Sequence, residues 1–181
     1  MAAEWIVPVI ELADAESADA VGLITELDAE LAALYPDAPI HLPTPAELRG
    51  PGVALVIARV AGRAVACGAV RGLQAGSFDT GRLEGASNGA AAGGAAEVKR
   101  MYVRPGFRRR GIGRVILDAL EHEARRRGAA AVRIETGDRQ PDAVALYRTA
   151  GYTPIAPFGE YIGNPVSRCF EKRLVTPARN L

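Results

Sequence analysis

Residues 97–127 constrain this chain more than any other stretch. A strand-like run, Glu97-Val98-Lys99-Arg100-Met101-Tyr102-Val103, passes through Arg108-Arg109-Arg110-Gly111-Ile112-Gly113 into a helix-like run. Gly111 and Gly113 remove side chains where the turn enters the helix, so an anion can approach the backbone closely. The first helical N–H groups have no intrahelical partner, and the helix dipole adds partial positive charge there. Strand, basic turn and helix in this order make a site for phosphate or pyrophosphate. Two familiar phosphate loops are excluded. A P-loop needs Lys and then Ser or Thr after its last glycine, but Arg114 and Val115 follow Gly113. A dinucleotide fingerprint needs a third glycine three residues on, and that position is Ile116.

The 181 residues suit one domain with its own core. A hydrophobic content of 49% with 24% charged residues is that of a globular chain. The net charge of +1 argues against nucleic acid or an anionic membrane as the main partner. Cys67 and Cys169 lie far apart in sequence, so reduced thiols in the cytoplasm are expected rather than a disulfide framework. The start of the chain lacks the basic and apolar regions of a signal peptide. No run approaches the roughly 20 apolar residues that span a membrane.

Trp5 to Ile10 reads as a first strand. Ser17 is an N-cap candidate for a helix carrying Ala20, Leu23, Ile24, Leu27, Leu31 and Leu34, ended by Tyr35-Pro36. A short helical turn is expected from Pro45 to Leu48. Val53 to Val60 and Ala64 to Leu73 read as a hairpin turning at Ala61-Gly62-Arg63. Residues 75–96 are mostly small and polar and read as a flexible inserted loop. Gly128 stops the helix that begins near Ile112. Ala131 to Glu135 is strand-like, and Thr136 to Gln140 a loop. Pro141 suits the first position of a helix holding Ala143, Leu146, Tyr147 and Ala150. Strands follow at Tyr152 to Ala156 and around Ser167 to Leu174. Alternating strands and helices after residue 97, with an early hairpin, imply an α/β fold with a mixed sheet.

Two motifs carry a family resemblance. Arg108-x-x-Gly111-x-Gly113 follows Val103-Arg104-Pro105, and Ala143-x-x-Leu146-Tyr147-x-x-x-Gly151-Tyr152 follows in turn. Together they resemble the GNAT superfamily of N-acetyltransferases, most strongly over residues 97–156. The resemblance implies one α/β (α+β) domain, with a mixed, mostly antiparallel sheet of six to seven strands and about four helices. It implies acetyl-CoA as cosubstrate, no metal, and direct transfer to an amine. A small-molecule amine is the expected acceptor, with a protein N-terminus or lysine as the alternative. Nucleic acid and membrane are not expected partners, and a homodimer is possible. A non-catalytic acyl-CoA-binding module remains the main alternative to an enzyme.

The resemblance also assigns residues. Met101, Tyr102 and Val103 would contact the cofactor through backbone groups of a splayed strand, and Arg108, Arg109, Arg110, Gly111, Ile112 and Gly113 would hold the pyrophosphate. Gln140 stands where the family often has a cofactor-touching Asn. Tyr147 would face the coenzyme A sulfur as general acid, since a phenol can donate to it. Glu97 is the candidate general base, with Glu160 or water as rivals. Period-two alternation puts Glu97, Lys99, Met101 and Val103 on one strand face. His41, Phe158, Glu160 and Tyr161 are candidates for the acceptor pocket. The bland readings are a paired surface glutamate at 97, a packing tyrosine at 147, and solvated arginines at 109 and 110.

Overall fold

The computed structural model describes residues 7–38, 47–50, 52–72 and 94–174. Strand β1 (Val9–Ala13) precedes helix α1 (Ala18–Leu34). Strands β2 (Val53–Val60), β3 (Arg63–Gly72) and β4 (Ala95–Val103) lead to helix α2 (Ile112–Arg126). Strand β5 (Ala131–Gly137), helix α3 (Pro141–Thr149), β6 (Thr153–Ile155) and β7 (Ser167–Arg173) complete the chain. The sheet order is β1-β2-β3-β4-β5-β7-β6. Every pairing is antiparallel except β4 with β5.

Local chemistry explains the elements. The Ser17 hydroxyl accepts from the Ala20 amide, and its carbonyl accepts from Val21, which starts α1. Ala61 and Gly62 both take positive φ (49° and 77°), the conformation that joins two strands with the right twist. Gly128, at φ 82°, ends α2. The two sheet faces then bury different helices. Leu23, Ile24 and Leu27 of α1 pack with Leu55, Ile57 and Cys67. Ile112, Ile116, Leu117 and Leu120 of α2 and Tyr147 of α3 pack with Val56, Val98, Ile134 and Phe170 on the other face. Burying this much aliphatic surface on both faces is the main stabilising term.

A bulge in β4 shapes everything downstream. Cys67 pairs with Tyr102 and Ala69 with Lys99, so Gly68 alone opposes Arg100 and Met101. Arg100 takes a positive φ of 58° there. Gly68 lets α2 come close: a Cβ would stand 2.7 Å from Leu120 Cδ1 and 2.9 Å from Ile116 Cγ2.

Several expectations change. The first strand is Val9–Ala13 rather than Trp5 to Ile10, and residues 1–6 lie outside the described residues. Ala95 and Ala96 belong to β4 rather than to the inserted loop; residues 73–93 lie outside the described residues. Three α-helices are found among the described residues, against about four expected, and the expected short helical turn is present as a 3-10 turn, Glu47–Arg49. Thr136 and Gly137 extend β5. The bulge also breaks the expected alternation: Met101 and Val103 face α2 and α3, whereas Glu97, Lys99, Arg100 and Tyr102 face the α1 side.

Candidate active site

Strands β4 and β5 pair from Ala95↔Ala131 only as far as Val98↔Ile134, yet both continue, to Val103 and Gly137. Past Val98 they separate. A cleft of about 570 Å³, counting its open part, occupies the gap. Leu27 and Leu31 of α1, Val98 to Met101 of β4, Glu135, Thr136, Gln140, Tyr147 and Tyr161 line it. The strand separation is the splay that the family resemblance implies, and the lining brings residues of β4 together with Tyr147.

The basic turn opens beside this cleft. Gly111 caps α2 with φ 77°, and no side chain caps the helix. Its carbonyl accepts from Arg114 N (3.0 Å) and Val115 N (3.2 Å), so the amides of Ile112 and Gly113 have no intrahelical acceptor. The two glycines do different work. Gly111 supplies the left-handed conformation. Gly113 makes room for α3, since a Cβ there would lie 3.3 Å from Leu146 Cδ2.

The three arginines also differ. Arg108 donates through Nε to the Val103 carbonyl (2.7 Å) and pairs with Glu30 (2.6 Å), fastening the end of β4 to α1. Arg109 is exposed and pairs with Asp142 of α3 (2.9 Å). The Arg110 guanidinium stands over the Phe107 ring, 5.7 Å from its centroid. Tyr102 turns its side chain to α1, where its hydroxyl lies 3.4 Å from Glu26.

Glu97 is buried, 2% exposed. Its carboxylate accepts from Arg71 Nη2 (2.9 Å) and from the Tyr161 hydroxyl (2.9 Å), with Lys99 Nζ at 3.5 Å. Lys99 in turn pairs with Glu160 at 2.5 Å and stands over the Tyr161 ring. Glu160 sits on a 3-10 turn, Gly159–Tyr161. Phe158 packs on Tyr161 and Cys169 and under Arg133, so it anchors this loop and is not among the lining residues. His41 lies outside the described residues.

Tyr147 projects from α3 with its hydroxyl 4.0 Å from Met101 Sδ. Its ring leans on Tyr152 and Phe170, and burial holds its pKa well above the ordinary phenol value. The phenol therefore stays protonated as a donor at neutral pH.

One residue escaped the sequence reading. Glu135 lines the cleft from β5 and accepts from Ser167 Oγ at 2.5 Å. Burial raises its pKa, and the neighbouring Glu97 and Glu160 charges push the same way, while Ser167 and Lys99 oppose them. Its only sequence signal is the alternation of Arg133 and Glu135 with Val132 and Ile134.

Arg125 pairs with Glu121, and Arg126 and Arg127 with Glu123, at the C-terminal end of α2. Both cysteines are buried free thiols, with burial pushing Cys67 up to about 12 and Cys169 to about 11. No described helix is long and apolar enough to cross a membrane.

The fold agrees with what comparison with known proteins shows. The pattern of the acetyltransferase (GNAT) family matches residues 20–152, and the chain belongs to that family. A protein of Azospirillum brasilense described as "IAA acetyltransferase" is 40% identical over 154 residues, covering 85% of this chain and 90% of that protein. A crystal structure from Klebsiella pneumoniae, assigned as an acyl-CoA N-acyltransferase, superposes with a TM-score of 0.72 at 29% identity, over 94% of this chain and 99% of that one. The fold also matches yncA of Salmonella typhimurium, solved with acetyl-CoA, with a TM-score of 0.62 at 19% identity over 95% and 96% of the two chains.

Proposed function

We propose that this protein transfers an acetyl group from acetyl-CoA directly to the primary amine of a small molecule. The observation that carries this reading is the separation of β4 from β5 after Val98↔Ile134, which opens a cleft lined by Met101 and Tyr147, with β4 running on into the turn that starts the uncapped α2. The residues present fit the cosubstrate. The Ile112 and Gly113 amides, with Arg109 and Arg110 nearby, suit a pyrophosphate. The β4 edge from Lys99 to Val103, no longer paired with β5, suits the amide groups of a pantetheine arm. The A. brasilense relative, by its name, also supports a small-molecule acceptor.

When bound, acetyl-CoA supplies an acetyl group activated as a thioester. The chain's residues have three tasks. An amine of this kind has a pKa near 10 and must lose a proton to attack. Glu135 is placed to accept it: the carboxyl lines the cleft, and its raised pKa makes it a stronger base than an exposed carboxylate. Glu97, tied to Arg71 and Tyr161, holds Lys99 and the Tyr161 loop in place. The Tyr147 hydroxyl donates to the sulfur side of the site. Leu27, Leu31 and Val98 exclude water, which strengthens each of these polar contacts.

Thiol release from acetyl-CoA across a panel of primary amines tests this reading. An acetylated product confirmed by mass, formed about tenfold to 100-fold more slowly by Tyr147→Phe, supports it. Tight acetyl-CoA binding with no turnover of any amine would instead identify a binding module.

A further inference from the structure

We infer that the acceptor carries a carboxylate beside its amine, and that Lys99 binds this carboxylate in the place that Glu160 occupies in the free protein. The inference rests on the acetyltransferase reading above and names the substrate class of the same cleft.

Lys99 and Glu135 stand one residue beyond the last paired positions of β4 and β5, on facing strands where the cleft opens. Both point to the α1 side of the sheet, as the pairing of Glu97 with Arg133 requires. An ammonium group and a proton-accepting carboxyl therefore share one wall. A ligand that satisfies both presents an anion and an amine a short distance apart. An α-amino acid, with one carbon between the two groups, has this form.

The partners of Lys99 are unequal. Glu97 is buried and held by Arg71 and Tyr161, each at 2.9 Å. Glu160 has a third of its side chain exposed (34%) and rides on a three-residue turn. That turn begins at Gly159 (φ 51°) and is followed by Gly163 (φ 83°), where the backbone is free to adopt other conformations. Exchanging a partly exposed protein carboxylate for a ligand carboxylate preserves the charge pairing of Lys99. The exchange also removes a negative charge that disfavours ionised Glu135 and substitutes another, so the cleft keeps its charge balance. A neutral or purely cationic amine offers Lys99 nothing and leaves it paired with Glu160.

The test uses the full-length protein with the twenty standard L-amino acids and, for each one acetylated, its carboxamide. Thiol release gives kcat/KM for each pair, and acetyl-CoA binding is measured in parallel by calorimetry. We expect the carboxylate form to exceed its amide by about tenfold or more, the scale of a charge-assisted contact. Lys99→Met should collapse that ratio toward one. Glu160→Gln should raise kcat/KM for the carboxylate form by about threefold, through a lower KM, because a competing carboxylate has gone. Thermal melting checks that both variants fold, and the Glu160→Gln gain cannot arise from misfolding. Equal or better use of the amides by the native protein overturns the inference, as does a ratio unchanged by Lys99→Met. So does acetyl-CoA binding with no amino acid acetylated, which leaves the acetyltransferase reading intact. Failure to bind acetyl-CoA at all would sink both.

Discussion

Val98 of β4 and Ile134 of β5 are the last paired residues of two strands that both run on and part beyond them. Glu135 is the first β5 residue past that point, and its burial makes function and stability pull in opposite directions. The folded protein binds the Glu135 proton more tightly than the unfolded chain does. The stability this gives is complete below the unfolded carboxylate pKa of about 4.3 and is lost as pH rises through the raised folded value. Glu135→Gln should therefore melt higher than the native protein at pH near 8, with the gain closing below about pH 4. The same variant should lose about 100-fold in kcat/KM, as expected for a removed general base. A variant that keeps full activity would remove Glu135 from the mechanism.

Tyr147→Phe separates the hydroxyl from the ring. The ring contacts with Tyr152 and Phe170, at 6.0 and 6.1 Å, survive the change, so folding and acetyl-CoA affinity should hold. Turnover should fall by about tenfold to 100-fold, reflecting a lost donor at the sulfur. Single-turnover kinetics beside a calorimetric Kd distinguish the two effects; a weakened Kd with unchanged chemistry would make Tyr147 a packing residue.

Much of this was legible in the sequence, and the misses share a cause. The Ser17 cap, the Ala61-Gly62 turn, the Gly128 stop and the Pro141 helix start are local signals, and the structure has each of them. The bulge is not local. Arg100 takes φ 58° in a bulge opposite Gly68, 32 positions earlier. No period along residues 97–103 announces that the alternation resets there. The same holds for Glu135, whose importance depends on where β4 and β5 separate. Arg108 shows the reverse: its place in a basic turn suggested an anion contact, while its guanidinium reaches back to Val103 and Glu30.

Glu26 binds the Arg104 guanidinium through both carboxylate oxygens, at 2.7 to 3.1 Å, and ties α1 to the end of β4. The bonds from Arg104 lower the Glu26 pKa. The stability they give is present above the ordinary carboxylate pKa and disappears as pH falls through the lowered one. The Glu26 side chain is 40% exposed, so solvent screens the pair. Glu26→Gln should cost about 0.5 kcal/mol at pH 7 and nothing at pH near 2, by urea melts at both. An equal loss at both pH values would mean that packing, not charge, is responsible.

Gly68→Val places branched carbon where a Cβ already meets Leu120 Cδ1 at 2.7 Å. The expected loss is about 1–3 kcal/mol, with the bulge and cleft displaced and acetyl-CoA binding weakened in step. Wild-type stability in denaturant would show that α2 can move aside without consequence.

The central claim is that the α2 N-terminus and the adjoining cleft hold acetyl-CoA. Calorimetric titration of acetyl-CoA tests it most directly, with native protein beside the double variant Arg109→Glu, Arg110→Glu at the exposed turn. The account predicts saturable micromolar binding at one site, weakened by about tenfold or more in the folded variant and increasingly salt-dependent in the native protein. Folded native protein that takes up no acetyl-CoA would contradict it.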